Sequence, residues 1–250
     1  MINIGLQLYT IRDECEKDFM SAIKKVAAIG YKGLEFAGYY GISAQVLRKV
    51  MDDLQLKAVN THVSLRRMES DFDEEVEYAK ILGMDTITIP YLELDDRMDR
   101  DSLLKTAESI AIIDQKCRDN GIQLCYHNHD FEFEKINGEY VLDILINKAK
   151  HLKLELDTFW TSYAGLDTVL YMQKKSSRLI YVHLKDMIKD EKPIFAEIGE
   201  GCLDIKSYLK TAIECGVEWV FVEQDVCTTQ SIECVKKSFD NLRNLWPLCE

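Results

Sequence analysis

Apolar positions along this chain follow two alternating rhythms. Eight short runs have strand length: IGLQLY (4–9), GLEF (33–36), LKAVNTH (56–62), DTITIP (85–90), IQLCYHNH (122–129), LKLELD (152–157), LIYVHLKD (179–186) and WVFVEQD (219–225). Between them apolar residues recur every three or four positions, as in Phe72, Val76, Ala79 and Leu82, the spacing of a helix with one buried face. This spacing predicts helices near 17–29, 43–54, 72–82, 100–120, 139–150, 166–176, 205–215 and 229–244. Gly30, Gly83, Gly121 and Gly216 follow four of these segments, where a left-handed residue ends a helix and feeds the next strand. Strict alternation in units of about 31 residues predicts an α/β fold, a closed (β/α)8 TIM barrel, with residues 1–250 as a single domain. An open, doubly wound sheet fits less well, because LQLYTIRD carries no glycine-rich turn after the first strand and no phosphate-binding loop follows elsewhere.

Polar residues then acquire meaning from where they fall. Barrel strands are covered on both faces, so polar groups at their ends require a reason, and barrel active sites lie at the C-terminal ends. Those ends carry Gln7, Glu35, His62, the His127-Asn128-His129 run, Asp157, His183 with Lys185 and Asp186, and Glu223 with Asp225. Four of the five histidines are among them. Convergence of His127 or His129 with Asp157, His183 and Glu223 gives a mixed nitrogen and oxygen set. Such a set suits one divalent ion, Mn, Zn or Co in preference to Mg. Plainer readings compete: Asp157 as a cap for the next helix, His183 as a core imidazole, His62 as a structural hydrogen-bonding group, and Glu35 as a wall acid bonded to a neighbour. Glu132 and Glu134 in the DFEFE stretch read as solvent-facing.

Two loops add candidates. In KPIFAEIGEGCLDI, Glu197 and Glu200 are placed to orient a base or a substrate hydroxyl. In TFWTSYAG, Phe159, Trp160 and Tyr163 offer aromatic faces for a sugar ring.

Charge and composition narrow the class. A net charge of −12 argues against non-specific nucleic-acid binding, and an acid-rich mouth with Arg12 and Lys185 as its few cations favours a neutral carbohydrate or polyol over a phosphorylated one. The eight cysteines are scattered without a CxxC pair and read as reduced thiols. No run has transmembrane length, and MINIGLQLY lacks the basic start of a secretory signal. The expectation is a cytoplasmic protein without membrane contact, for which a homo-oligomer is compatible.

The spaced combination of GLQLYTIRD, YHNHDFEF, ELDTFW, VHLKD, IGEG and VEQD resembles the xylose-isomerase-like TIM-barrel superfamily, its sugar phosphate isomerase/epimerase group above all, over residues 3–245. Members of that superfamily bind one divalent metal through Glu, Asp, His and Glu at the ends of strands five to eight. The resemblance assigns Asp157, His183 and Glu223 to three of these positions; His127 stands where the strand-five Glu is expected, a departure from the two-glutamate pattern of the epimerases. It implies a metal-dependent sugar isomerase or epimerase acting through an enediolate. Glu223, His127 and Glu197 are the candidate proton carriers, Lys185 stabilises developing negative charge, and Gln7, His62, His129, Trp160 and Glu200 contact substrate. A metal-dependent dehydratase or lyase of a keto-polyol shares the same early step, and a non-catalytic sugar-binding barrel is the alternative outside catalysis. A nuclease is disfavoured, since Trp160 stands in DTFW where a further histidine is expected.

Overall fold

A computed structural model of the protein describes residues 2–190, 192 and 194–245; Cys249 lies outside them. Eight parallel strands form the barrel: Asn3–Gln7, Gly33–Phe36, Lys57–Thr61, Thr86–Ile89, Gln123–His127, Lys153–Asp157, Leu179–Leu184 and Trp219–Val222. They are called strands one to eight below. Their order around the sheet is 3-2-1-8-7-6-5-4. Strands three and four meet at a single parallel bridge, His62 with Thr88, where the Val63 amide donates to the Thr88 carbonyl at 2.9 Å. That joint completes a (β/α)8 TIM barrel.

The helices fall close to the positions that periodicity predicts: Arg12–Ile29, Ala44–Asp53, Phe72–Leu82, Arg100–Asp119, Val141–Lys148, Thr168–Lys174, Ile205–Glu214 and Ser231–Leu245. Within the first, Asp18 has non-helical backbone angles and its carboxylate accepts from the Ser21 amide, so the regular part starts near the boundary that the spacing gives. Two short helices, Leu65–Ser70 and Thr158–Tyr163, form where the sequence reads as loop. The second exists because Asp157 caps it, its Oδ1 accepting from the Trp160 amide at 2.9 Å. Among the described residues no helix is long and apolar enough to cross a membrane.

Inside the barrel, side chains rise in columns two residues apart. Val59, Tyr181, Trp219 and Phe221 form an aromatic layer. The Tyr181 hydroxyl reaches Thr86 of strand four, which does not neighbour strand seven, at 3.0 Å and therefore spans the interior. Two residues further along the same strands stand His183 and Glu223, and then Lys185 and Asp225, so the period of the strand carries the interior from aromatic to ionic. Strand eight can supply Trp219 because strand two supplies no side chain opposite. A Cβ on Gly33 would lie 2.5 Å from the Trp219 ring and 2.7 Å from Val59. Gly33→Ala is therefore expected to destabilise the fold by about 1–3 kcal/mol through overpacking, read from the midpoint of urea unfolding. An unchanged midpoint would contradict the tight fit.

Candidate metal centre and active site

Above the aromatic layer lies a buried acid–imidazole network. Glu35 on strand two accepts from Gln7 Nε2 at 2.8 Å and from Asn60 Nδ2, and its Oε2 lies 2.6 Å from His183 Nε2. Glu155, between Leu154 and Leu156 on strand six, lies 2.7 Å from His62 Nε2 and accepts from Asn60 at 3.1 Å. Burial, reinforced by the charge of Glu155, pushes the Glu35 carboxyl up to about 7. Burial acts the same way on Glu155, but His183 and His62 overcome it and hold that carboxyl well below its usual range. Desolvation likewise works against a charged His183, yet Glu155, Glu35 and Glu223 raise its imidazole well above the ordinary histidine value.

Next along the strands is the convergence expected from the sequence. His127, Asp157, His183 and Glu223, one from each of strands five to eight or the residue just beyond, each offer a ligand atom, all within 4.8 Å of one another. His127 Nε2 is 3.4 Å from Asp157 Oδ2 and 3.9 Å from Glu223 Oε2, which is 2.7 Å from His183 Nδ1. All four side chains are buried. Burial keeps the His127 imidazole below its ordinary value, so its ring is neutral and one nitrogen carries a lone pair.

A second group, Glu35, His62, Glu155 and His183, is equally close-set. Hydrogen bonding separates the two. The acids of this second group are satisfied by Gln7, Asn60 and the two imidazoles, whereas His127 Nε2 and Asp157 Oδ2 in the first group are buried without a hydrogen-bond partner. An unpartnered neutral nitrogen facing a carboxylate oxygen that already draws a positive charge, the Lys185 ammonium 3.1 Å away, fits a cation. His183 links the groups, its Nε2 against Glu35 and its Nδ1 turned to Glu223. Both nitrogens thus face carboxylates, and with Glu35 holding Nε2 it is Nδ1 that would turn to a cation shared with Glu223.

Lys185, wholly buried at the end of strand seven, extends over this cluster. Its Nζ is 3.1 Å from Asp157 Oδ2, 2.8 Å from Glu223 Oε2 and 2.7 Å from Asp225 Oδ1. Burial disfavours the ammonium, but these three carboxylates hold its pKa well above the ordinary lysine value.

His127 and Glu223 of the cluster line a cleft of about 480 Å³ together with Tyr9, His62, Tyr91, His129, Lys185 and Asp225, among others. His129 lies past the end of strand five, which stops at His127, so the two rings share the cleft without sharing a strand face; their centroids are 5.0 Å apart. His129 Nδ1 is buried without a partner, and burial holds this imidazole well below its ordinary value. Trp160 borders the same region, its ring centroid 5.4 Å from that of His129 and 5.8 Å from Lys185 Nζ.

Three of the expected site residues are placed elsewhere. Gln7 does not contact a ligand in the cleft: both ends of its amide are engaged, Nε2 by Glu35 and Oε1 by the Tyr9 amide, and it is fully buried. Glu197 and Glu200 turn outward toward Lys237 of the last helix, at 3.7 and 3.4 Å, and Glu200 also accepts from Asn241. The cause is Asp186, whose carboxylate accepts the amides of Met187, Gly199, Gly201 and Leu203 and so draws the loop glycines in while the glutamates point away.

Glu132 departs from the solvent-facing reading as well, while Glu134 is exposed. Fully buried, Glu132 accepts from the Tyr126 hydroxyl and the His129 amide, both at 2.7 Å, and so braces the turn that carries His129. Burial pushes its carboxyl up to about 8. A folded-state pKa raised above the unfolded one means that folding takes up a proton between roughly pH 4.5 and 8, so this group makes stability fall as pH rises through that window. Glu132→Gln is therefore expected to gain thermal stability relative to wild type at pH 8 compared with pH 5; a pH-independent difference in melting temperature would refute the assignment.

Sheet topology and the placement of these residues define the class, a TIM barrel with an acid–imidazole site at the C-terminal mouth. The family described as "Xylose isomerase-like TIM barrel" matches residues 23–245, and the chain belongs to it. Among curated relatives it is similar to inosose dehydratase of Clostridium beijerinckii, 22% identical over 262 residues, covering 89% of this chain and 88% of that protein. In structure it is similar to a sugar phosphate isomerase/epimerase from Parabacteroides distasonis, with a TM-score of 0.83 at 21% identity, covering 100% and 96% of the two chains. It is also similar to the probable 3-DHS dehydratase AsbF from Bacillus anthracis, with a TM-score of 0.77 at 12% identity, covering 97% and 99%. At these identities the structural likenesses carry the fold. The relatives are named as sugar-modifying enzymes and dehydratases.

Proposed function

We propose that this protein is a divalent-metal-dependent enzyme that removes a proton from the carbon beside a carbonyl in an uncharged keto-sugar or cyclitol. The observation that carries this reading is the unpartnered His127 Nε2, set in one close cluster with Asp157, His183 and Glu223, of which His127 and Glu223 line the cleft. These four residues would hold the ion, Mn, Zn or Co in preference to Mg. When bound, it supplies Lewis-acid polarisation of a carbonyl and adjacent hydroxyl.

The chain's own residues account for the rest. Glu223 is the carboxylate placed to take the proton, and the Lys185 ammonium offsets the negative charge that develops on the substrate oxygens. His129, with an unpartnered nitrogen in the cleft, is placed to hydrogen-bond a substrate hydroxyl. Tyr9 and Tyr91 flank the opening with apolar ring faces. The one lysine lining the cleft is already bonded to three acids, which favours a neutral substrate over a phosphorylated one.

Two outcomes share the first step. Epimerisation or isomerisation returns the proton to the opposite face or the neighbouring carbon, and the two-base form needs a base on each side. With His127 in place of a strand-five glutamate, that second carboxylate is missing. Dehydration needs only one proton carrier: Glu223 takes the C–H proton, the β C–O bond breaks, and the same carboxyl returns the proton to the departing hydroxyl as water. The site favours dehydration, and the name of the Clostridium beijerinckii relative supports the same order. Incubating the Mn²⁺-loaded protein with an inosose in D₂O tests the choice. Dehydration yields product one water lighter, whereas epimerisation yields an isomer that is one mass unit heavier for the deuterium it has taken up. Neither product, with substrate bound, would overturn the catalytic reading in favour of a sugar-binding barrel.

A further inference from the structure

We propose that Lys185 is a built-in competitor for the divalent cation, and that Asp225 is the alternative seat which lets the lysine yield. The proposal rests on the metal reading of His127, Asp157, His183 and Glu223 given above. Lys185 Nζ occupies the space in front of the very oxygens assigned to the ion, 3.1 Å from Asp157 Oδ2 and 2.8 Å from Glu223 Oε2. An ammonium at that position neutralises the two carboxylates in the metal-free protein and repels a second cation from them. The side chain is almost fully buried although it lines the cleft, so water screens the repulsion only weakly. What remains open to it is Asp225 Oδ1, already 2.7 Å away on the outer side.

Asp225 is itself held in place. Arg12 Nη2 donates to its backbone carbonyl at 2.9 Å, while the Arg12 guanidinium lies 4.1 Å from the centre of the Tyr9 ring at the cleft wall. Asp225 is not among the four clustered donors. Its carboxylate therefore acts on the cation through the lysine, as a positioning residue.

This arrangement predicts opposite signs for neighbouring substitutions. Lys185→Met removes the competitor and is expected to tighten Mn²⁺ binding about tenfold or more. Asp225→Asn takes away the alternative seat, leaves the ammonium on Asp157 and Glu223, and is expected to weaken binding. In the Lys185→Met background the Asp225→Asn substitution is expected to have little further effect, because there is no lysine left to hold. Isothermal titration of the four proteins with Mn²⁺ alone, each checked by circular dichroism for folding, provides the test. Weaker or unchanged binding in Lys185→Met, with wild type binding normally, overturns the proposal, as does an Asp225→Asn effect of equal size in both backgrounds. Absence of Mn²⁺ binding from all four proteins overturns the metal reading as well. Should Lys185→Met fail to fold, Asp225→Asn in the otherwise native chain decides, since unchanged or tighter binding there contradicts the role of the seat.

Discussion

Glu223→Gln is expected to lower kcat/KM of the metal-saturated protein by on the order of 10² to 10⁴ while leaving the barrel folded. The loss follows from removing the carboxylate that both faces the cation site and is placed to take the proton. The fold survives because every partner of Glu223 retains another acid: Lys185 keeps Asp157 and Asp225, and His183 keeps Glu35 and Glu155. Comparing turnover and uptake of solvent deuterium at saturating Mn²⁺, with circular dichroism as the control, measures both halves. Wild-type turnover in this variant would remove Glu223 from the chemistry.

His183→Ala is expected to fail differently. Its imidazole is fully buried and lies within 3.4 Å of Glu35, Glu155 and Glu223. Deleting it strands buried carboxylates whose countercharge is gone, a loss of about 3–5 kcal/mol. In a chain of this length that amounts to a fall in melting temperature on the order of 10 °C. Thermal unfolding without added metal isolates the structural part, since no ion then offsets the negative charge. A melting temperature equal to that of wild type would show that the inner network does not depend on His183.

How far the chain can be read without coordinates depends on the scale of the signal. Eight repeats of strand and helix are redundant, so small errors in any boundary leave the barrel intact. Asp157, His183 and Glu223 stand out because each lies at or next to the end of a strand and directly follows an apolar residue. Glu155 and Asn60 do not, because both sit within strands, and the partners that satisfy them come from strands distant in sequence. One signal was available: Glu155 has the same parity as Asp157 in LKLELD, and a charge between two leucines on a strand covered on both faces requires a buried counterpart. Glu197 and Glu200 illustrate the opposite difficulty. Nothing in the order of IGEG tells which side of the loop meets the cleft; the four amides gathered by Asp186 decide it. Asp157 shows that two readings of one residue can both describe it, since Oδ1 caps a helix while Oδ2 faces the cluster.

The joint between strands three and four has a further consequence. Apart from its one bridge, that seam is crossed by a side chain: Asn60 Nδ2 reaches Thr88 Oγ1 at 2.7 Å, and its two hydrogens are shared among Thr88, Glu35 of strand two and Glu155 of strand six, to which His62 also reaches. The groups that order the reaction chamber thus also stitch the cylinder shut. Whatever loosens them unfastens the wall at the place where the backbone lacing is thinnest, and amide exchange should register it at Val63 before it reaches the opposite side of the cylinder.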